Sequence, residues 1–176
     1  VPHVAYHLAV TRPGRVLDLG IGFGLYGAVV RQWSDLGTWP AKTWLVGVEG
    51  FAAYRNPAWD LYNLVVVDSI ENYLARASDL FDCILLTDVI EHFPKETGLA
   101  VVQGAQRLLE RGGSLFVGTP ALFCPQEAVY GNEFERHRSV WTAADFVALG
   151  FRVILDGAPD HWGNQMLLAQ WRAPAA

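Results

Sequence analysis

Arg15-Val-Leu-Asp-Leu-Gly-Ile-Gly-Phe-Gly24 is the stretch on which the reading of this chain turns. Arg15 to Leu19 is a short apolar run with one acid in it, the pattern of a buried strand. Leu25 to Trp33 follows with apolar residues at helical spacing. Between them Gly20, Gly22 and Gly24 stand at alternate positions. Glycine lets a backbone adopt positive φ and approach a ligand closely, and the next helix directs unpaired N–H groups at whatever binds. An ordinary tight turn rarely needs three glycines behind a strand-terminal acid.

The same alternation of strand and helix continues outward. Thr43 to Val48, Leu64 to Val67, Asp82 to Thr87 and Ser114 to Gly118 read as further strands. Phe51 to Trp59, Ile70 to Ala77 and Pro94 to Glu110 read as helices, the last with Pro94 in its first turn and Gly112 as its stop. Thr142 is placed to cap a helix running to Leu149, with Asp145 three residues on. Phe151 to Asp156 and Gln165 to Trp171 are two final strands joined by a turn-rich segment from Gly157 to Asn164. Strands alternating with helices predict a doubly wound parallel sheet. Two consecutive strands without an intervening helix pair only if antiparallel. The expected fold is therefore an α/β, Rossmann-like sheet of seven strands with an antiparallel C-terminal strand.

Size and composition fit one domain spanning residues 1–176. The chain is 52% hydrophobic and 18% charged, which is ordinary for a globular core and excludes a disordered chain. Its formal charge is -5 and its basic residues are scattered, which argues against a long nucleic-acid partner. The longest stretch free of Asp, Glu, Lys and Arg, Gly112 to Gln126, is interrupted by proline and glycine, so no membrane span is expected. No signal peptide is legible, and Cys83 and Cys124 suggest no disulfide framework. A cytoplasmic, reducing setting follows.

Acids close four successive predicted strands: Asp18, Glu49, Asp68 and Asp88. Open α/β sheets bind ligands at these strand ends. Glu49 has two oxygens for the two hydroxyls of a ribose, and Asp68 is suited to an adenine amino group. Each acid alone also reads as a helix cap, Asp68 before Ser69-Ile70 above all. Gly22, Gly24 and Gly27 with Glu49 downstream equally fit the dinucleotide fingerprint. From these residues a nucleotide site is indicated, with an NAD-dependent oxidoreductase as one reading of it.

Taken together, these motifs resemble class I methyltransferases that use S-adenosylmethionine (SAM). Asp18-Leu-Gly20-Ile-Gly22-Phe-Gly24 is similar to their first motif, Glu49 in GVEG to their ribose-binding acid, and Asp68 in VVVDS to their adenine-reading residue. Phe81 to Phe93 (FDCILLTDVIEHF) is similar to their fourth-strand motif and Leu108 to Pro120 to their fifth-strand block. The resemblance implies SAM as cofactor, S-adenosylhomocysteine (SAH) as product, and a cofactor site of Asp18, Gly20, Gly22, Gly24, Glu49, Asp68, Ser69, Ile70 and Asp88. It implies methyl transfer to an oxygen or nitrogen of a small-molecule acceptor. A homodimer would complete the site of so short a chain. A methyltransferase-like binding protein without chemistry is the other reading.

The resemblance puts the transferred methyl group beside Asp88, Glu91 and His92, just beyond the fourth strand. Such transfer releases a proton, and His92, which titrates near neutral pH, is the candidate base. The run Glu133 to Thr142 (EFERHRSVWT) stands where the family closes over its acceptor; His137 is a second catalytic candidate, and Arg136 or Arg138 would suit an anionic acceptor. No resident metal is expected. Some RNA and quinone-ring methyltransferases nevertheless hold a divalent cation on a carboxylate-x-x-Glu-His arrangement with a later His, to which Asp88, Glu91, His92 and His137 are similar. His3, His7 and His161 receive no role, Cys124 reads as a neutral thiol, and Trp141 and Trp162 are candidates for acceptor stacking.

Overall fold

The structure is a computed structural model and describes residues 1–159, 163 and 165–175. Seven strands form one sheet: β1 (Arg15–Leu19), β2 (Trp44–Glu49), β3 (Leu64–Val67), β4 (Phe81–Thr87), β5 (Leu109–Pro120), β6 (Arg152–Pro159) and β7 (Gln165–Arg172). Their order is β3-β2-β1-β4-β5-β7-β6, with β1 to β5 paired in parallel and β7 antiparallel to both its neighbours. The expected antiparallel strand is present. An all-parallel dinucleotide-binding sheet has no such strand, so the topology counts against the oxidoreductase reading.

Strict alternation along the central strands builds two cores. Leu17, Leu19, Ile84 and Leu86 face one side of the sheet, and Val16, Cys83 and Leu85 face the other. The first side is covered by α3 (Ile70–Arg76), α4 (Lys95–Arg107) and α5 (Ala143–Ala148), through residues such as Leu74, Val101, Val102 and Phe146. The second is covered by α1 (Pro2–Thr11) and α2 (Leu25–Trp33), through Val4, Leu8, Val29 and Val30. Each such side chain, fully buried, contributes about 1.5–3 kcal/mol.

Four expectations need correction. Phe51 to Trp59 is not one helix but two 3₁₀ turns, Ala52–Tyr54 and Pro57–Leu61, because Pro57 lacks the N–H that a continuous helix would use. The helix expected to reach Glu110 ends at Arg107, and β5 begins at Leu109 rather than Ser114. Ser69, not Asp68, caps α3, its side chain accepting from the Asn72 N–H. Trp141 does not stack on an acceptor: it is 1% exposed, packed on Phe146 and Gly98. The Thr142–Asp145 capping box forms as expected. His161 and Trp162, in the turn expected between the last two strands, lie outside the described residues.

Lys95 binds the Val140 carbonyl and the Asp145 carboxylate, with its ammonium 3.9 Å from the centre of the Trp141 ring. Trp141 thus joins α4 to α5. Trp141→Ala should lower unfolding free energy by about 3–5 kcal/mol, read from urea denaturation.

Candidate active site

A pocket of about 600 Å³ lies along the C-terminal ends of β1 to β4. It gathers residues from the loop after each strand: Gly20 and Gly22 after β1, Glu49 at the end of β2, Ser69 and Ile70 after β3, and Asp88 and His92 after β4. Seven of the residues singled out from sequence therefore share one cavity.

The glycine loop is held by Glu49. The Gly22 N–H donates to Oε2 at 2.8 Å, the Phe51 N–H donates to Oε1 at 2.8 Å, and the side chain is buried. Burial pushes its carboxyl above the usual range, while the Phe51 and Gly22 amides pull the other way. Gly22 has φ 50° and an added Cβ there would meet nothing within 4 Å, so this glycine serves the backbone turn beside an open cavity. Gly27 has another purpose: a Cβ there would lie 2.5 Å from the Tyr62 ring. The third glycine of the dinucleotide fingerprint is thus explained by helix packing.

Three sequence-assigned cofactor residues lie outside the lining. Asp18 is buried beneath the pocket and accepts from the Tyr62 hydroxyl at 2.6 Å. Burial raises its pKa to about 7, against the lowering effect of that bond and with a further rise from Glu49. Gly24 opens α2 and is tucked against Ala58. Asp68 spends its carboxylate on the Ser69 N–H at 2.8 Å, Asn72 Nδ2 at 3.0 Å and Arg76 at 2.5 Å. These bonds brace the N-cap residue Ser69 and the start of α3, and Ser69 and Ile70 reach the pocket.

On the acceptor side, Asp88 has φ 54° and its N–H bonds to the Gly118 carbonyl at 2.8 Å, which fixes the turn leaving β4. Glu91 is 3% exposed and accepts from Thr119 Oγ1 at 3.0 Å. Burial, reinforced by the charge of Asp88, raises its pKa to about 8. His92 is half-buried with its pKa lowered by burial, against the pull of Glu135, and so favours the neutral imidazole. Its Nδ1 has no partner in hydrogen-bond geometry, although the Asp88 and Arg136 backbones lie close enough to favour the charged form.

His137 does not line the pocket; its ring lies 4.9 Å from that of His92. Its Nδ1 donates to the Cys124 carbonyl at 2.5 Å, so Nε2 is the ring nitrogen left for another partner. Ligand atoms of Glu91, His92 and His137 all lie within 4.8 Å of one another, and Asp88 stands outside that cluster.

The arginines are not placed to grip an anion. Arg136 pairs with Glu127 and Glu133. Arg138 lines the pocket but donates to the carbonyls of His92 (2.9 Å), Arg136 (3.2 Å) and Glu133 (3.0 Å). The lining otherwise carries the carboxylates of Glu49, Glu71, Asp88 and Glu135, an environment suited to a cationic ligand. Glu135, which accepts from Tyr54 OH at 2.9 Å, and Phe134 lie in the run singled out from sequence but had no role assigned individually, and Asn132 lay just outside it. None of the lining residues comes from α1, whereas Asn132, Phe134, Glu135 and Arg138 all contribute.

Asp18 and Glu91 make a pH prediction. Both folded pKa values lie above their ordinary 3.8 and 4.5, so their stabilising contribution is complete below about pH 4 and is lost as pH rises through 7 to 8. Asp18→Asn and Glu91→Gln should each lose less stability than the unsubstituted chain between pH 5 and 8, measured by urea midpoints.

A family model described as a methyltransferase domain matches residues 6–175. The chain is 31% identical over 125 residues to a ubiquinone biosynthesis O-methyltransferase of Xanthomonas oryzae pv. oryzae, covering 68% of this chain and 49% of the relative. With its counterpart from Xanthomonas campestris pv. campestris the values are 32% over 131 residues, 71% and 52%. The chain thus spans about half the length of these curated relatives. Among solved structures, N-methyltransferase NodS from Bradyrhizobium japonicum in complex with SAH superposes with a TM-score of 0.66 at 15% identity, covering 98% of this chain and 85% of that one. No helix among the described residues is long and apolar enough to cross a membrane. The sheet order, the pocket at the ends of its parallel strands and the match over residues 6–175 agree: the chain belongs to the methyltransferase domain family, with the class I SAM-dependent fold.

Proposed function

We propose that residues 1–176 form one methyltransferase domain that moves a methyl group from SAM to an oxygen or nitrogen of a small-molecule acceptor. The observation that carries this is the single pocket uniting Gly20, Gly22, Glu49, Ser69, Ile70, Asp88 and His92. Kinship with O-methyltransferases favours oxygen. Phe23, Phe93 and Phe134 in the lining favour a flat, apolar acceptor, and the carboxylates disfavour an anionic one.

SAM, when bound, supplies an electrophilic methyl group on a sulfonium. Gly20 and Gly22 would give its methionine part close backbone approach, Glu49 would hold the ribose, and Ser69 and Ile70 would border the adenine. Asp88 and Glu135 offset positive charge. His92, biased toward the neutral form, accepts the acceptor's proton at an imidazole nitrogen. Glu91 and His137 stand behind it. The Glu91 carbonyl holds the N–H groups of Arg138 (2.8 Å) and Ser139 (3.1 Å), which fixes the acceptor-side segment to the His92 turn.

A second reading makes Glu91, His92 and His137 ligands of a divalent cation, favoured by the unpartnered His92 Nδ1 and the free Nε2 side of His137. Glu91 would have to ionise there, which its burial opposes. The two free cysteines suit a reducing, cytoplasmic setting, and a homodimer would enclose the pocket mouth.

Transfer of labelled methyl groups from SAM to a panel of phenols and catechols should show turnover. His92→Ala should lower kcat by about 10²-fold. Activity unchanged by EDTA would eliminate the metal reading, and no turnover with any acceptor, despite SAM binding, would favour a binding protein.

A further inference from the structure

A second cavity, of about 490 Å³, lies at the opposite end of the sheet, where the parallel strands begin. It is lined by four arginines from four separate elements: Arg12 after α1, Arg111 in β5, Arg152 opening β6 and Arg172 closing β7. Against them stands one carboxylate, Asp82, whose Oδ2 already accepts the Arg15 N–H at 2.8 Å. None of the four arginines takes part in an ion pair among the described residues. In a chain of formal charge -5, this concentration of positive charge does not follow from general basicity.

The fold builds the cavity at some expense to the sheet. Phe81 pairs with Leu109 but Cys83 with Ser114, so β5 makes an excursion of three extra residues that carries Arg111 to the rim. That excursion is tied down: the Gly112 carbonyl accepts from Arg172 Nε at 3.2 Å, and the Ala173 N–H donates to the Gly113 carbonyl at 2.9 Å. Arg152 donates to Gln170 Oε1 at 3.1 Å, and Gln170 donates in turn to Ser114 Oγ at 3.0 Å. Each of these two guanidinium groups spends one nitrogen on structure and keeps the rest of its five donors. Arg12 and Arg111 spend none on a described residue.

Four guanidinium groups lining one cavity from separate elements, against a single carboxylate that already accepts the Arg15 amide, match an anion that offers several oxygens and at least two negative charges. We propose that this cavity is a second ligand site, separate from the methyl-transfer pocket, that binds a small phosphoryl-bearing anion. Occupied, it would bridge α1, the β5 excursion and the β6–β7 pair.

Calorimetric titration with inorganic pyrophosphate should give saturable binding of one equivalent. It should weaken about tenfold or more in the double variant Arg12→Ala/Arg111→Ala, whose exposed side chains hold no other element in place. Arg152→Gln alone should move the affinity the same way. The ligand-free thermal midpoint of the double variant should be unchanged, and pyrophosphate should raise the midpoint of the unsubstituted chain only. Three results would overturn the proposal: no saturable binding, binding untouched by both variants, or citrate binding as well as pyrophosphate. A short oligonucleotide binding more tightly than pyrophosphate and losing affinity in the same variants would replace it with a nucleic-acid contact.

Discussion

The buried carboxylate of Glu49 joins the end of one strand to the loop of the next. Its two oxygens take the Gly22 and Phe51 amides at 2.8 Å each, while the Val48 carbonyl ahead of it takes the Gly20 N–H at 2.8 Å. Hydrogen bonds to an ionised acceptor are about twice as strong as neutral ones, and these act in a partly dry setting. They hold the glycine loop in a shape that its own residues would not keep, since glycine has the most conformational freedom to lose. The glycine-loop half of the pocket, the half proposed for the cofactor, depends on this one acid, which works on the protein's backbone as well as facing the cavity.

The half proposed for the acceptor is arranged differently, through carbonyl oxygens. The Glu91 carbonyl gathers two amides of the 138–139 segment, and Arg138 spreads its guanidinium over three more carbonyls. His92 and His137 meet where these contacts cross. The result is a turn and a covering segment that behave as one piece, with a neutral imidazole between them. Charge is also divided along the sheet: carboxylates dominate the lining at the C-terminal strand ends, and arginines the cavity at the other end.

Much of the fold was legible because it rests on local periodicity. Leu25 to Trp33 matches α2 residue for residue, and the antiparallel ending followed from two strands with no helix between them. Gly20, Gly22 and Glu49 were legible because a glycine loop at one strand end and an acid at the neighbouring strand end are the pattern of a single cavity, which they share. Asp68 was ambiguous in the sequence because capping and ligand contact draw on the same residue type at the same place; its bonds to Asn72 and Arg76 of the next helix are visible only in the structure. The partner of Asp18, Tyr62, lies 44 residues away, and Glu135 reaches Tyr54 across 81. Contacts of that separation leave no periodic trace. The arginine cavity is the extreme case, since its four members are scattered from Arg12 to Arg172.

We propose that the Glu49-braced pocket is built for a SAM-type ligand. The decisive measurement is calorimetric titration of the purified chain with SAH and, separately, NAD, repeated on Glu49→Ala. SAH should bind, NAD should not, and Glu49→Ala should weaken SAH by about 10- to 100-fold. Binding of NAD in place of SAH, or SAH affinity indifferent to Glu49→Ala, would contradict it.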